Sequence, residues 1–301
     1  MSILITRNTT VIIQGITGRE AVTMTREGLD YGTRIIGGVT PGRGGREVHG
    51  VPVYDTVEAI SSKSRVDASV VSVPPAFTRD AVFEAIEAGV KLIVVVTENI
   101  PRGQVAQMVE LADQRGARII GPNCLGVLSP GEAKVGGLGG RAEDARKAFT
   151  KGVVGVMSRS GGMTTEICNT LTAAGLGQST AVSIGGDAII GQAYAELMPL
   201  FEADPQTQAI AIYSEPGGRM EADLARWKVE NDSRLPVVAF MAGRFMDEMP
   251  GMRFGHAGTI VEGKADTTVE KIERLNEAGI AVAERIEDIP ALIEQQLATA
   301  G

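Results

Sequence analysis

The chain has 301 residues, enough for two domains of ordinary size or one large one, and its 44% hydrophobic and 22% charged residues exclude disorder and fibrous repeats. Its 29 basic residues against 37 acidic ones leave a net charge of −8, which speaks against nucleic acid or an anionic membrane surface as main partner. Two cysteines, Cys124 and Cys168, and two histidines, His49 and His256, are too few for a disulfide framework or a zinc site of His/Cys type.

The N-terminus MSILITRNTT lacks the apolar h-region of a secretion signal and is expected to be a mature start. The longest apolar runs, such as Leu92–Val96, fall far short of the ~20 residues of a membrane span. A cytoplasmic protein with an aliphatic core is expected, since aromatics make up only 4%. The 38 glycines, many clustered, mark places where backbone must come close to ligand or backbone.

Along the chain, β-branched apolar runs predict strands at Thr9–Gln14, Arg34–Val39, Ala68–Val73, Lys91–Val96 and Ala117–Ile120, with helices between them such as Thr78–Ala88 and Gly103–Arg115. Gly15, Gly37-Gly38, Pro74-Pro75 and Gly121-Pro122 punctuate the strand ends, and ligands of open parallel sheets bind outside the carboxyl ends of strands. Ser129–Thr150, rich in Gly, Lys and Arg, breaks the rhythm and is expected to be a connection. Strands then resume at Gly152–Met157, Thr180–Ile184, Ala209–Tyr213, Val237–Ala242 and Ile280–Ala283. Helices are expected at Met163–Ala174, Ile189–Phe201, Met220–Val229, Thr267–Ala278 and Ile286–Leu297. The pattern predicts two α/β domains, 1–128 and 151–301, joined by 129–150.

Strand one runs into Gln14–Glu20, a glycine turn opening a helix, whose free N–H groups and dipole suit an anion. The dinucleotide fingerprint fails here: Thr17 stands where the second Gly belongs and Glu20, followed by Ala21, near the third. Strand two ends in GGVTPGRGG, with Arg43 and no carboxylate for an NAD ribose, and an Arg in a glycine loop suits phosphate. No Gly-Lys-Ser/Thr closes a Walker loop. If these glycines are more than turns, they serve a phosphate-bearing nucleotide that is neither NAD nor ATP.

QGITG, GGVTPGRGG, Val73-Pro74-Pro75, VTENIP, GPNC, SRSGG, IGGD, DPQTQAI and GHAG occur in one order. That ordered set resembles, over essentially the whole chain, the α subunit of succinyl-CoA synthetase and its ADP- or GDP-forming carboxylate–CoA ligase relatives. The resemblance implies a Rossmann-like CoA-binding domain followed by a flavodoxin-like ligase domain with a transiently phosphorylated histidine. It implies a separate β subunit, in an αβ or α₂β₂ assembly, that supplies ATP or GTP with Mg²⁺, so that the substrates of this chain are CoA and a small acid. CoA would meet Thr17, Gly18, Arg19, Glu20 and Arg43, where the family usually has Lys at Arg43, and Val96, Thr97 and Glu98 would flank its pantetheine. His256 in GHAG would carry the phosphoryl group, with Glu215 fixing its tautomer. Ser160, Gly161 and Gly162 in SRSGG would cradle the phosphate at a helix start. His49 lacks such a setting and is expected at the surface, and Cys124 is expected to be a packed thiol.

The chain departs from the family pattern in places that bear on the acid. Thr165 stands where the succinate enzymes have Tyr, the Gly161-Gly162-Met163 turn looks more like citrate-activating relatives, and Pro216 replaces Ile after Glu215. The run Gly243–Met252 replaces a Gly-Xaa-Thr-Ala-Pro segment, and either it is a re-packed loop or Arg244 or Arg253 holds an acidic group of the substrate. Succinate, malate, citrate, another hydroxy-dicarboxylate or a sulfonated acid stay open. The alternatives are a non-catalytic CoA-binding regulator and an NAD-dependent oxidoreductase.

Overall fold

The structure is a computed structural model and describes residues 2–252, 255, 256, 258–261, 263 and 267–300. The first half alternates β1 (Thr10–Gln14), α1 (Arg19–Tyr31), β2 (Arg34–Val39), β3 (Glu47–Val48), β4 (Val51–Tyr54), α2 (Glu58–Ser61), β5 (Ala68–Val71), α3 (Pro75–Glu87), β6 (Leu92–Val95), α4 (Arg102–Arg115) and β7 (Arg118–Ile120). Its strands lie in the order β3-β4-β2-β1-β5-β6-β7, all parallel except the β3–β4 hairpin. Sequence direction reverses between β1 and β5, which makes their carboxyl ends the switch point of a Rossmann-like sheet.

The elements stop where local chemistry stops them. Helix α1 ends on Gly32 in the left-handed region (φ 103°), whose amide reaches back to the carbonyls of Gly28 and Leu29. Helix α3 starts on Pro75, which has no N–H to lose at the first helical position. Strands β1, β5 and β6 are buried at every residue, as a parallel sheet covered on both faces requires.

The second half comprises β8 (Gly126–Ser129), β9 (Ala133–Val135), α5 (Ala142–Ala148), β10 (Lys151–Ser158), α6 (Gly161–Ala173), β11 (Gln178–Ser183), α7 (Tyr194–Ala203), β12 (Ala209–Ser214), α8 (Met220–Glu230), β13 (Val237–Met241), α9 (Thr268–Glu277), β14 (Ala281–Ala283) and α10 (Ile289–Ala300). The sheet order is β14-β13-β12-β10-β11-β8-β9. Its parallel part, with β10 between β11 and β12, has flavodoxin-like order and its switch point at the β10 and β12 ends.

Two stretches differ from the sequence expectation. Ser129–Thr150, expected as a connection, holds the end of β8, then β9 and α5, and β8 pairs antiparallel with β11, so the second sheet begins at Gly126. Val127, Leu128, Ala133 and Val135 are buried there, and covering an otherwise open sheet edge is the physical reason for the pairing. Helix α5 meanwhile leans on the first half, with the Ala142 amide on Glu27 and the Arg146 guanidinium on the Asp30 carbonyl. The helix expected from Ile189 starts only at Tyr194, because Gly191 and Gln192 donate their amides to Gly121 and Ile119 at the end of the first sheet. A side chain at Gly191 would collide with the Ile119 carbonyl at 2.1 Å. The buried core is mainly aliphatic and continuous between the sheets: Ile13 and Val94 of the first share a cluster with Val182 and Ile212 of the second.

Candidate active site

A crevice of about 890 Å³ runs from the switch point of the first sheet to that of the second. At one end lie Gly18, Arg19 and Glu20, opening α1, with Ser72–Pro75 after β5; Val96, Thr97 and Glu98 after β6 form a wall; Ser160, Gly161 and Gly162, opening α6, and His256 close the other end. The first turn is built by Gly15, in the left-handed region at φ 82°, where a Cβ would lie 2.2 Å from the Ser72 carbonyl oxygen. Only glycine lets the turn after β1 press against β5. No side chain caps α1, so its first amides and its dipole face the crevice. Thr17 and Arg43 are exposed on the flank and do not line the crevice itself; the Thr17 hydroxyl meets Thr40 (3.2 Å), whose carbonyl accepts from the Arg43 amide (3.0 Å).

At the second switch point, Ser158 and Ser160 stiffen the turn into α6. Ser158 Oγ donates to the Ser160 carbonyl (2.7 Å) and accepts from the Ser160 amide (3.1 Å), while Ser160 Oγ caps the Met163 amide (3.4 Å). The Ser160 cap takes the Met163 amide and leaves the Gly161 and Gly162 amides, at the start of a 13-residue helix, on the wall of the crevice. Thr165, one turn further in, is half-buried and is not among the residues lining the crevice.

His256 is half-buried, and its Nδ1 lies 2.8 Å and 3.0 Å from the two carboxylate oxygens of Glu215, at the end of β12. The hydrogen bond to Glu215 raises the imidazole above its ordinary pKa, against burial and the nearby Arg159 charge, which lower it. With Nδ1 engaged, Nε2 is the nitrogen available for attack. Gly186 lies directly beneath the ring: a Cβ there would sit 2.4 Å from the imidazole Cγ. A second crevice of about 550 Å³, with Arg102 and Asp187 on its walls, meets the first at Glu98, Asn99, Asn123 and His256. The imidazole therefore stands where two approaches converge.

Other expected residues fall elsewhere. Arg244 pairs with Glu284 (2.8 Å) and lines neither crevice, and Arg253 lies outside the described residues. His49 is exposed. Cys124 is buried with its Sγ on the Val95 carbonyl (3.3 Å), and burial pushes its thiol up to about 12. Sequence reasoning gave no role to Arg159, Asn123 or Asp187. All three lie within motifs it did single out, SRSGG, GPNC and IGGD, yet which side chains turn inward depends on the packing of both sheets.

Fold and crevice together define an α/β protein of two sheets whose crevice runs from the switch point of the first to a histidine at that of the second. The profile of the CoA binding domain matches residues 6–99 and that of CoA-ligase matches residues 157–281. The chain is 45% identical over 289 residues, 96% of both chains, to succinate–CoA ligase [ADP-forming] subunit alpha 1 of Archaeoglobus fulgidus. It is 40% identical over 295 residues, 98% of both chains, to an ADP-forming sulfoacetate–CoA ligase subunit of an Acholeplasma species. The fold matches ATP citrate lyase of Methanothrix soehngenii, solved with citrate and coenzyme A, at a TM-score of 0.91 and 24% identity; 99% of this chain is covered, and it spans about half (51%) of that one. The chain belongs to the CoA-ligase family, as an α-type subunit of the acid–thiol ligases.

Proposed function

We propose that this chain is the α subunit of a nucleotide-dependent carboxylate–CoA ligase that works through a phosphohistidine at His256 and an acyl-phosphate intermediate. The observation that carries the reading is the Glu215-steered imidazole at the meeting of two crevices, beside the amide-lined start of α6. Nε2 attacks the terminal phosphorus of a nucleoside triphosphate, ATP or GTP; a P–N bond forms, the P–O bond breaks and the diphosphate leaves. Glu215 holds the Nδ1 proton throughout, which keeps Nε2 nucleophilic and steadies the cationic phosphoimidazole. The amides of Gly161 and Gly162 and the Ser160 hydroxyl hold the phosphoryl oxygens. A carboxylate oxygen of the acid then takes the phosphoryl group as the P–N bond breaks, and the CoA thiolate displaces inorganic phosphate from the acyl carbon.

CoA would lie with its phosphates at Gly18, Arg19 and Glu20, with Thr17 and Arg43 on the flank, and its pantetheine along Val96, Thr97 and Glu98. The exposed Arg43 suits a terminal phosphate better than a buried one. Mg²⁺ is assigned with the nucleotide, on the family resemblance, to a partner β subunit in an αβ or α₂β₂ assembly. The acid is a small di- or tricarboxylic acid or a sulfonated analogue. Two relatives named for succinate and for sulfoacetate support a substrate with a second anionic group. No helix among the described residues is long and apolar enough to cross a membrane, and a cytoplasmic location fits two buried free cysteines.

The test is to label the α chain, with its β partner, from γ-³²P ATP or GTP and to follow discharge by CoA plus each acid of a panel. An acid-labile label that His256→Asn abolishes is expected, with the acid of fastest discharge naming the substrate. A folded, CoA-binding complex that takes no label from either nucleotide would leave a CoA-binding regulator as the better account.

A further inference from the structure

Behind the Glu215–His256 pair lies a buried cation that the mechanism above does not use. Arg159 is the largest of the fully buried side chains, only 1% exposed. Its Nη1 points at the carbonyls of Glu215 (3.3 Å), Pro216 (3.5 Å) and Gly217 (3.4 Å). Its Nε lies 3.9 Å from Glu215 Oε2 and has no hydrogen-bond partner among the described residues. A second buried cation, Lys271 on α9, donates to the carbonyls of Glu215 (3.1 Å) and Gly217 (2.7 Å) and is neutralised by Glu221 (2.7 Å). Lys271 has its own carboxylate; the carboxylate nearest Arg159 is the one that also holds His256.

A buried guanidinium beyond hydrogen-bond reach but within ~4 Å of a carboxylate acts on it chiefly through charge. We propose that Arg159 is a positioning residue for phosphoryl transfer: it fixes the turn that presents Glu215 and, by its charge, moderates how strongly Glu215 holds the His256 proton. The proposal rests on the reading of His256 as phosphoryl carrier. A carboxylate this close, buried and uncompensated, would keep the imidazole protonated and so useless as a nucleophile near neutrality. Arg159 offsets that pull while leaving Glu215 ionised and able to accept from Nδ1. Among the described residues, the other charged and titratable groups near the pair are Asp187, which accepts from Asn123 (3.0 Å), the buried Tyr194 and Tyr213, the Lys271–Glu221 pair, and Glu98 and Arg102 on the crevice walls that His256 shares. Apart from the Lys271 ammonium, already paired with Glu221, and the exposed Arg102, none of these described groups is positive, so among the described residues Arg159 is the buried charge that carries the compensation.

The chain has two histidines, so NMR titration of the imidazole carbons reads His256 directly, with His49→Gln assigning the second signal. In Arg159→Met the His256 titration is expected about one pH unit higher than in the wild-type chain, with His49 unmoved. In the complex with its β partner, the acid limb of the labelling rate is expected to move the same way. Arg159→Gln keeps a donor to the turn carbonyls without the charge and should shift His256 as Met does. Arg159→Lys, which keeps a charge in the recess, should titrate close to wild type. A folded Met or Gln variant whose His256 titration stays or falls overturns the proposal, and so does a rise of about one pH unit in the Lys variant if only that one folds. A wild-type complex that takes no label defeats the ligase reading instead, and leaves the titration result standing.

Discussion

At His256 the contact of Nδ1 with Glu215 sets, in the proposed reaction, which nitrogen reacts and when. Because Glu215 raises the imidazole's pKa, the proposed nucleophile becomes fully available only as pH rises through that raised value. The same shift has a stability sign. The pair adds stability that is fully present below the unfolded-state pKa and is lost as pH climbs through the folded one. Glu215→Gln removes the raising partner, so the acid limb of His256 labelling should move to lower pH even as the plateau rate falls, by about 10- to 100-fold, for want of a fixed tautomer. Labelling rates measured across pH 5 to 8 (roughly the range in which histidine titrates) check both parts, and an acid limb that moved upward would contradict the assignment. Glu215 and His256 are 41 residues apart, and their partnership was legible only through the family pattern. The floor of the ring was not legible at all. Gly186 belongs to the IGGD run, but nothing in four letters says that one glycine lies flat beneath an imidazole 70 residues on.

The elements matter through their ends. Both switch points put a turn and a helix start on the same crevice; the first turn depends on the missing side chain of Gly15, the second on a small side chain, Ser158, tying its own backbone. Ser158 is fully buried and serves both the amide and the carbonyl of Ser160. Ser158→Ala leaves the half-buried Ser160 amide without its partner, while the Ser160 carbonyl keeps Thr164, and should cost about 1 kcal/mol, read as a lower denaturation midpoint with unchanged m-value. The α6 start then loosens, so weaker retention of the phosphorylated state should accompany the loss. Most strands were legible because buried parallel strands read as unbroken β-branched runs. The β8–β9 hairpin was not, because its short, glycine-flanked strands become a sheet edge only where β11 offers one. The late start of α7 has the same character: Gly191 and Gln192 give their amides to the first sheet, a contact that local helical periodicity cannot report.

At the scale of the whole molecule, the hairpin and the N-terminal segment fasten the two sheets together. Arg7 binds Glu132 through three contacts, its guanidinium at 3.1 and 2.8 Å and its amide at 3.1 Å, and these hold that carboxyl down to about 2. Lys134 of β9 is buried between α1 and the Gly139-Gly140 turn, with its Nζ on the Gly140 carbonyl. Burial pushes its ammonium down to about 8 from 10.5, only partly offset by Glu27. Over the interval from about 8 to 10.5 the unfolded chain then binds more protons at this site than the folded one, so its contribution to stability rises with pH there. Lys134→Met should flatten that rise, and urea midpoints for wild type and variant between pH 7 and 10.5 (roughly the neutral-to-unperturbed-Lys range) should converge as pH increases. Divergence with increasing pH would show that Lys134 is charged and well paired in its recess.

The sequence by itself determined the alternation of strands and helices, the two anion-suited turns and the family, because hydrophobic period, glycine placement and motif order are properties of short stretches read in line. Tertiary structure alone decided which motif side chains turn inward. It set Arg159 behind Glu215, Gly186 beneath His256 and Arg244 away on Glu284, and it folded the expected connection into a sheet edge. These are contacts between residues dozens of positions apart. Their energies depend on burial and on the distance between charges, which exist only once both sheets have closed around the site.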